Sequence, residues 1–315
     1  MSPSAESKSR SALGELSSQL AEAVEAAAQS VVAIHARRRI PSSGIVWRDG
    51  IVVSANHTVR RDSDVSITLP AGESTSATVV GRDPSTDLVA LRVDAAGVRA
   101  MPRGDASAAR VGALVLAVGR PGKSVSASFG IISAVADGWR TWQGSRIDRV
   151  LRLDLAVYDG FSGGPLVSPE AGGRLIGLDT STLARGAPLA LPVDVVDRVL
   201  DQLLTRGHVR RPFIGIAVQP VALGPSIVAH HGLRTDAALV VISVAEGTPA
   251  ESAGLSIGDV LVEANGQPLS RPTVLFDALA NLGDGASLEL KRLRGDSRST
   301  VTVVPIDRGG QGADQ

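Results

Sequence analysis

The segment Asp159-Gly-Phe-Ser-Gly-Gly-Pro-Leu166 sets one serine among glycines. A hydroxyl on so tight a turn is presented for attack on a carbonyl, and the same turn can aim backbone amides at the oxygen that gains charge. With Ser162 as nucleophile, the N–H groups of Gly160 and Ser162 are the expected oxyanion donors, glycine supplying backbone conformations that a Cβ disfavours. Alone, G-x-S-x-G describes an ordinary surface turn equally well; the longer G-x-S-G-G-P-L is more specific. It runs into Pro165 and another strand-like stretch, so it lacks the strand-to-helix context of an α/β-hydrolase elbow.

A serine hydroxyl is a weak nucleophile at neutral pH and needs a base, usually a histidine oriented by a buried carboxylate. Of the five histidines, His35 lies on the first strand-like run, His208 in a connector, and His230 and His231 in the last third of the chain. His57 follows Ile51-Val-Val-Ser-Ala-Asn56, a strand end from which a side chain can reach a cleft. Arg82-Asp-Pro-Ser-Thr-Asp-Leu-Val-Ala-Leu91 offers Asp87 at the entrance to an apolar strand and Asp83 beside Pro84, where a carboxylate more often caps a turn.

Positioning three distant groups requires a sizeable scaffold, and 315 residues allow two or three compact units. Hydrophobic residues make up 43% and aromatics 3%, so the cores must be aliphatic, as many short strands would supply. Short runs at Val31–Ile34, Gly44–Val53, Val65–Leu69, Thr78–Val80, Leu88–Val93, Leu114–Val118 and Leu175–Leu178, separated by Gly, Pro, Asp and Ser, predict an all-β barrel or sandwich. Residues 1–30 form an N-terminal segment with a helical repeat of Leu13, Leu16, Leu20, Val24 and Ala27, and Pro192–Arg206 predicts a helix stopped by Gly207. After a basic connector, strands near Phe213–Val218, Leu239–Val244, Val260–Ala264 and Leu288–Lys291 alternate with helices around Pro225–His231 and Pro272–Leu282, a small mixed domain. The polar, Gly-rich end, 307–315, is expected to be disordered.

Thirty-two basic and 32 acidic residues leave no net field to attract nucleic acid or an acidic membrane surface, and zero cysteines exclude disulfides, thiolate metal sites and a cysteine nucleophile. No apolar run reaches the ~20 residues that span a bilayer. Charges interrupt the first thirty residues, so no secretory signal is visible and a cytoplasmic protein is expected, with the periplasm or exterior as the alternative.

Ser54-Ala-Asn-His57, Gly81-Arg-Asp-Pro-Ser-Thr-Asp-Leu-Val-Ala-Leu91 and Gly160-Phe-Ser-Gly-Gly-Pro-Leu166 resemble, in order, the three catalytic blocks of HtrA/Deg proteases. Val111–Gly119 and Gly130–Ala134 extend the resemblance, which covers Val31 to Ile306. It implies a mainly β fold: a chymotrypsin-like double β-barrel over 31–208, then a small α+β PDZ domain over 211–306. By the same resemblance His57 is general base then acid, Asp87 fixes its tautomer, and Ser162 forms the acyl-enzyme, with neither cofactor nor metal. Ala156, six residues before the serine, and Leu191 correspond to substrate-pocket positions, implying cleavage after small aliphatic residues. Thr180-Ser181-Thr182 would pair with an extended, unfolded substrate. The family usually forms trimers. Phe161 stands where it usually has Asn, Arg120-Pro-Gly-Lys where it has Asn-Pro-x-Gly, and Tyr158-Asp159 where Asn-Pro is common. A Phe161 loop unable to form an oxyanion hole would instead leave a catalytically silent peptide-binding scaffold.

Arg211-Pro-Phe-Ile-Gly-Ile216 resembles the carboxylate-binding loop of HtrA-type PDZ domains, and Gly247–Leu261 their central signature. Phe213, Ile214, Gly215 and Ile216 would then receive a C-terminal peptide, with Leu275 and Leu279 lining an apolar pocket, although Phe213 and Ile214 serve equally well as core. Asp137–Ile147 occupies the place of a sensor loop, with Trp139, Arg140 and Arg146 as candidate relays.

Overall fold

Val, Leu and Ile runs broken by turn residues close into two barrels of identical strand order in the computed structural model, which describes residues 12–37, 40–94, 98–140, 146–170, 172–184 and 187–309. The first comprises β1 (Val31–His35), β2 (Ser42–Arg48), β3 (Ile51–Ala55), β4 (Val65–Thr68), β5 (Ser74–Asp83) and β6 (Leu88–Val93), closed in the order β1-β2-β3-β6-β5-β4. The second comprises β7 (Leu114–Gly119), β8 (Ser126–Arg140), β9 (Arg146–Asp154), β10 (Pro165–Ser168), β11 (Arg174–Thr180) and β12 (Leu189–Pro192), closed as β7-β8-β9-β12-β11-β10. The expected single run Gly44–Val53 is two strands, because Asp49-Gly50 turns the chain with Gly50 at φ 69°. Closure removes the free edges that would otherwise invite aggregation.

Each barrel is filled by aliphatic side chains, Val32, Ile34, Val52, Ile67 and Leu91 among them in the first and Val115, Ile132, Leu151 and Leu166 in the second. A third cluster, built from both barrels, takes in Ile45, Val53, Leu116 and Leu178 with the apolar faces of α1 (Ala12–Ala28) and α2 (Val193–Arg206). α1 approaches closely because its buried positions are Ala23 and Ala27. α2 buries Val195, Val196, Val199, Leu200 and Leu203 and ends on left-handed Gly207, whose N–H donates to Leu203 O at 2.9 Å. From its polar side Asp197 accepts from Trp47 Nε1 (2.8 Å), Arg48 and Arg103, tying the helix to the first barrel. Burial acts against this carboxylate's charge, but bonds from Trp47, Arg103 and Arg48 hold its pKa below the usual range.

The chain divides at Val209/Arg210 into two compact units. The second contains β13 (Pro212–Phe213), β14 (Ile216–Ala222), α3 (Pro225–His231), β15 (Ala237–Val244), α4 (Pro249–Ser252), β16 (Val260–Ala264), β17 (Gln267–Pro268), α5 (Pro272–Ala280), β18 (Leu288–Arg294), β19 (Ser297–Val303) and β20 (Ile306–Asp307). Its main sheet runs β14-β15-β16-β18-β19, leaving β14 at an edge. The expected disordered tail begins too early: Asp307 lies in β20, which pairs with β13, and its carboxylate accepts from Arg211 N and Gly309 N, each at 2.8 Å. Residues 310–315, 1–11 and the sensor-loop stretch 141–145 lie outside the described residues; the backbones of Trp139 and Arg140 end β8, and Arg146 opens β9.

Candidate active site

β3 runs into a 3-10 turn, Asn56–Thr58, that lifts His57 off the first barrel. Asp87 enters β6 in the left-handed region at φ 58°, a conformation that Asp tolerates better than most side chains. In it the residue faces the histidine turn with every acceptor it has: its carbonyl takes Asn56 N–H at 2.8 Å, Oδ1 takes His57 N–H at 2.8 Å, and Oδ2 meets His57 Nδ1 at 2.7 Å. The carboxylate is buried while the imidazole remains about 29% exposed. Asp83 does something else, folding back to accept from the hydroxyls of Ser85 (2.9 Å) and Thr86 (2.7 Å), the turn-capping role expected of it.

Two hydroxyls not singled out from the sequence as carboxylate partners complete the shell of Asp87 Oδ2: Thr180 Oγ1 donates at 2.5 Å and Thr182 Oγ1 at 2.9 Å. Both come from the second barrel, at the end of β11 and just beyond, so the aspartate is shared between barrels.

The serine turn is held by backbone. Phe161 N–H donates to Tyr158 O (3.0 Å), Gly164 N–H to Phe161 O (2.8 Å) and Gly163 N–H to Asp179 O (2.8 Å), while Asp179 N–H returns a bond to Gly164 O (2.9 Å). Gly163 sits at φ 88°, and a Cβ there would lie 2.2 Å from Ser54 Oγ and 2.4 Å from Ser43 O, so no other residue fits. Ser43, which sequence reasoning missed, reaches from β2 to donate to Gly160 O at 2.6 Å while accepting Arg120 N–H at 2.8 Å. With its carbonyl so anchored, the Gly160 N–H has no protein acceptor among the described residues, nor has that of Ser162. Phe161 points inward, fully buried against Gly119 with its ring edge-on to Tyr158 at 5.4 Å. Arg120 spends its guanidinium on carbonyls, donating to Val31 O, Lys123 O and Ala28 O and so closing the C-terminus of α1.

Ser162 Oγ lies 3.0 Å from Ser181 Oγ, and no hydrogen bond among the described residues joins it to His57. Segment 180–182 links the groups, Thr180 and Thr182 bonding to Asp87 and Ser181 to Ser162, with the imidazole engaged by Asp87 and the hydroxyl engaged by Ser181.

Asp179, whose backbone clamps this turn, is wholly buried with no hydrogen-bond partner for either carboxylate oxygen among the described residues. Burial pushes its pKa well above the ordinary range. An acid whose folded pKa is raised favours folding while protonated, and that advantage is lost as pH rises from the ordinary carboxylate range toward the folded value. Asp179→Asn is therefore expected to melt at least ~2–4 °C higher than the parent at pH 8, the shift of ~1 kcal/mol for a unit of this size. The difference should vanish near pH 4, and calorimetry across that range reads it. A gap independent of pH would assign the effect to packing.

Among the other expected site residues, Ala156 is exposed beyond β9, and Ser181 and Thr182 are exposed beyond β11. Leu191 departs from expectation: β12 is paired on both sides, and the side chain is fully buried in the cluster built from both barrels, so it offers a pocket no wall. In the second unit Gly215 has φ 90° and a Cβ there would strike Thr248 at 2.3 Å. The carbonyls of Ile214 and Gly215 accept from Ala250 N–H and Ala245 N–H, each at 2.8 Å, whereas their own N–H groups have no acceptor among the described residues. Ile216 opens the edge strand β14, beside α5. Ile214, Leu275 and Leu279 are core, packed together, so the two leucines form no exposed pocket; Val274 and Ala278 of α5 are half-buried against the same core. Phe213 lies under the guanidinium of Arg308, 3.6 Å from its ring centre.

Residues 42–178 match the trypsin-like peptidase domain model and residues 212–304 the PDZ domain model. A DegP-like protein of Pseudomonas savastanoi pv. phaseolicola, named as a periplasmic serine endoprotease, is 31% identical over 278 residues, covering 86% of this chain and 57% of its own length. A protein of the same name from Brucella suis is 32% identical over 292 residues, covering 89% of this chain and 56% of its own length. The chain thus spans little more than half of these relatives. Among solved structures, the HtrA-type protease AlgW with a decapeptide superposes with a TM-score of 0.74 at 26% identity, covering 91% of this chain and 98% of that one. The serine endoprotease of Yersinia pestis gives 0.74 at 26%, covering 91% and 97%. The cytoplasmic placement expected from sequence is overturned by these relatives, whose names point to the periplasm. It rested on the lack of an apolar run in thirty residues, which carries no information about compartment. No described helix is long and apolar enough to cross a membrane.

Proposed function

We propose, for a chain that belongs to the HtrA/Deg family of trypsin-like proteases and carries a PDZ domain after its protease domain, that it is a serine endoprotease acting through Ser162, His57 and Asp87. The observation that carries the reading is the four-bond cradle of Asp87, which orients His57 through Nδ1 and leaves Nε2 to act as base. As Ser162 Oγ adds to the carbonyl carbon, its proton passes to His57 Nε2, and the carbonyl oxygen takes up charge facing the N–H groups of Gly160 and Ser162. The imidazolium then gives that proton to the departing amine, and water repeats the sequence on the acyl-enzyme.

Substrates are proposed to be unfolded or misfolded chains, since Ser181 and Thr182 offer an exposed segment to an extended peptide. Cleavage after small aliphatic residues rests on uncharged Ala156 alone, now that Leu191 is core. The amides of Ile214 and Gly215, without acceptors among the described residues and beside the edge of β14, support capture of a C-terminal carboxylate, with regulation through the PDZ domain. A trimer is part of the same proposal.

Labelling with a fluorophosphonate tests the reading: one adduct on Ser162, absent from Ser162→Ala, is expected. No adduct in the parent chain would favour the silent scaffold, a reading that the Ser162–Ser181 contact keeps open. That contact must be exchanged for one to His57 before attack, so Ser181→Ala should raise the labelling rate. Loss of a neutral hydrogen bond of ~0.5–1.5 kcal/mol corresponds to ~2–10-fold. An unchanged or slower rate would mean that Ser181 does not restrain the nucleophile.

A further inference from the structure

α3 ends on two consecutive histidines, His230 and His231, closed by left-handed Gly232 at φ 58°. The hairpin between β18 and β19 turns at Gly295-Asp296 and brings Asp296 against them. His230 Nε2 is 3.3 Å from Asp296 Oδ1 and His231 Nε2 is 4.0 Å from the same oxygen. One ligand atom from each of the three side chains lies within 4.8 Å of the other two. The imidazoles stand nearly perpendicular, at 83° with centroids 4.7 Å apart, so their lone pairs can converge without the rings stacking.

These spacings suit a small transition-metal ion. Tetrahedral zinc with bonds of ~2.0–2.1 Å holds its ligand atoms ~3.3 Å apart, so one pair is already in place and the others must close by a fraction of an ångström to about 1.5 Å. The groups that must move are free to do so: the side chain of Asp296 is 89% exposed and that of His230 61%. His231 is the fixed member, 9% exposed, with its carbonyl accepting from Arg298 Nη1 at 2.7 Å. Two neutral imidazoles and one carboxylate bring a single negative charge, and this mixed N/O set favours borderline ions such as Zn²⁺ over Ca²⁺ or Mg²⁺, which prefer oxygen ligands. The cluster opens on a depression of about 440 Å³ walled by Leu223, Ile227 and Val260, which leaves room for water at a fourth position.

We propose that His230, His231 and Asp296 form a three-ligand site for a divalent transition-metal ion of the Zn²⁺ class within the PDZ domain, its fourth position open to solvent. It is independent of the serine chemistry, since none of its residues belongs to that site. Calorimetric titration of the full chain with zinc chloride tests it, alongside His230→Ala and Asp296→Ala, exposed positions whose replacement leaves the fold intact. One ion per chain is expected, with affinity reduced ~10–100-fold or more in each variant, and no heat with magnesium. Fluorophosphonate labelling of both metal-free variants should match the parent. Absence of zinc-dependent heat would overturn the site, leaving the histidines as ion-pair partners of Asp296 only. So would binding undiminished in either variant, which would place the ion elsewhere, at His57 or His35.

Discussion

Ser162→Ala is expected to lower kcat for cleavage of an unfolded protein by ~10⁵–10⁶-fold, the usual scale for deleting the nucleophile of a hydroxyl–imidazole–carboxylate unit. The substitution removes one oxygen from a largely buried site and leaves the turn intact, because the turn is held by main-chain bonds from Tyr158, Phe161 and Asp179 and by Ser43. Both expected oxyanion donors are backbone groups and survive, so a residual acceleration over water should persist. Melting temperature serves as control: a stable variant that retains activity within tenfold of the parent would remove Ser162 from the mechanism.

Asp87→Asn is expected to lower kcat by ~10⁴-fold with little change in KM. Oδ2 accepts from His57 Nδ1, Thr180 Oγ1 and Thr182 Oγ1, and Oδ1 from His57 N–H, so the carboxylate accepts four bonds and donates none. An amide nitrogen at the Oδ2 position confronts three donors with a fourth. The imidazole then relieves the clash by moving its proton to Nε2, which leaves nothing on that nitrogen to receive the serine proton. Loss of stability accompanies the loss of rate, since the threonine hydroxyls surrender a charged acceptor in a buried place. Thr182→Val provides the graded comparison: one of the three Oδ2 bonds is lost, the tautomer is kept, and a decrease of about tenfold is expected from one net hydrogen bond of ~1.5 kcal/mol. An Asp87→Asn enzyme within tenfold of the parent in kcat, with unchanged pH dependence, would mean that the carboxylate does not orient the base.

How far these residues could be read in advance varied with what made each of them distinctive. The serine turn was legible because its glycines answer to backbone geometry, as Gly163 shows, where a Cβ would overlap the first barrel. That Asp87 rather than Asp83 reaches His57 was legible because a carboxylate beside Pro84 finds local hydroxyls, and Asp83 finds those of Ser85 and Thr86. Leu191, Leu275 and Leu279 misled because alignment with a pocket position says nothing of which way a paired strand or a packed helix turns a side chain; all three face core. Strand β8, 15 residues long, was largely unmarked because its second half, Ala134–Arg140, has no sustained apolar alternation in sequence. Asp179 gave no sequence signal at all, being one carboxylate among 32 acidic residues.

By itself the amino-acid sequence determined an aliphatic, mainly β first part and a second small domain, and its motifs, through the family they resemble, implied the double barrel and named His57, Asp87 and Ser162 as candidates. Those follow from composition, turn chemistry and motif, which are local or additive properties of the chain. Only the tertiary structure decided which barrel supplies each bond: that Ser43 of β2 anchors Gly160 of the serine turn, that Thr180 and Thr182 secure the aspartate of β6, and that Ser181 rather than His57 holds the hydroxyl of Ser162. Hydrogen bonds of ~3 Å tolerate displacements of only a few tenths of an ångström, and pairs separated by 93 to 117 residues acquire that accuracy only when both barrels have closed and packed.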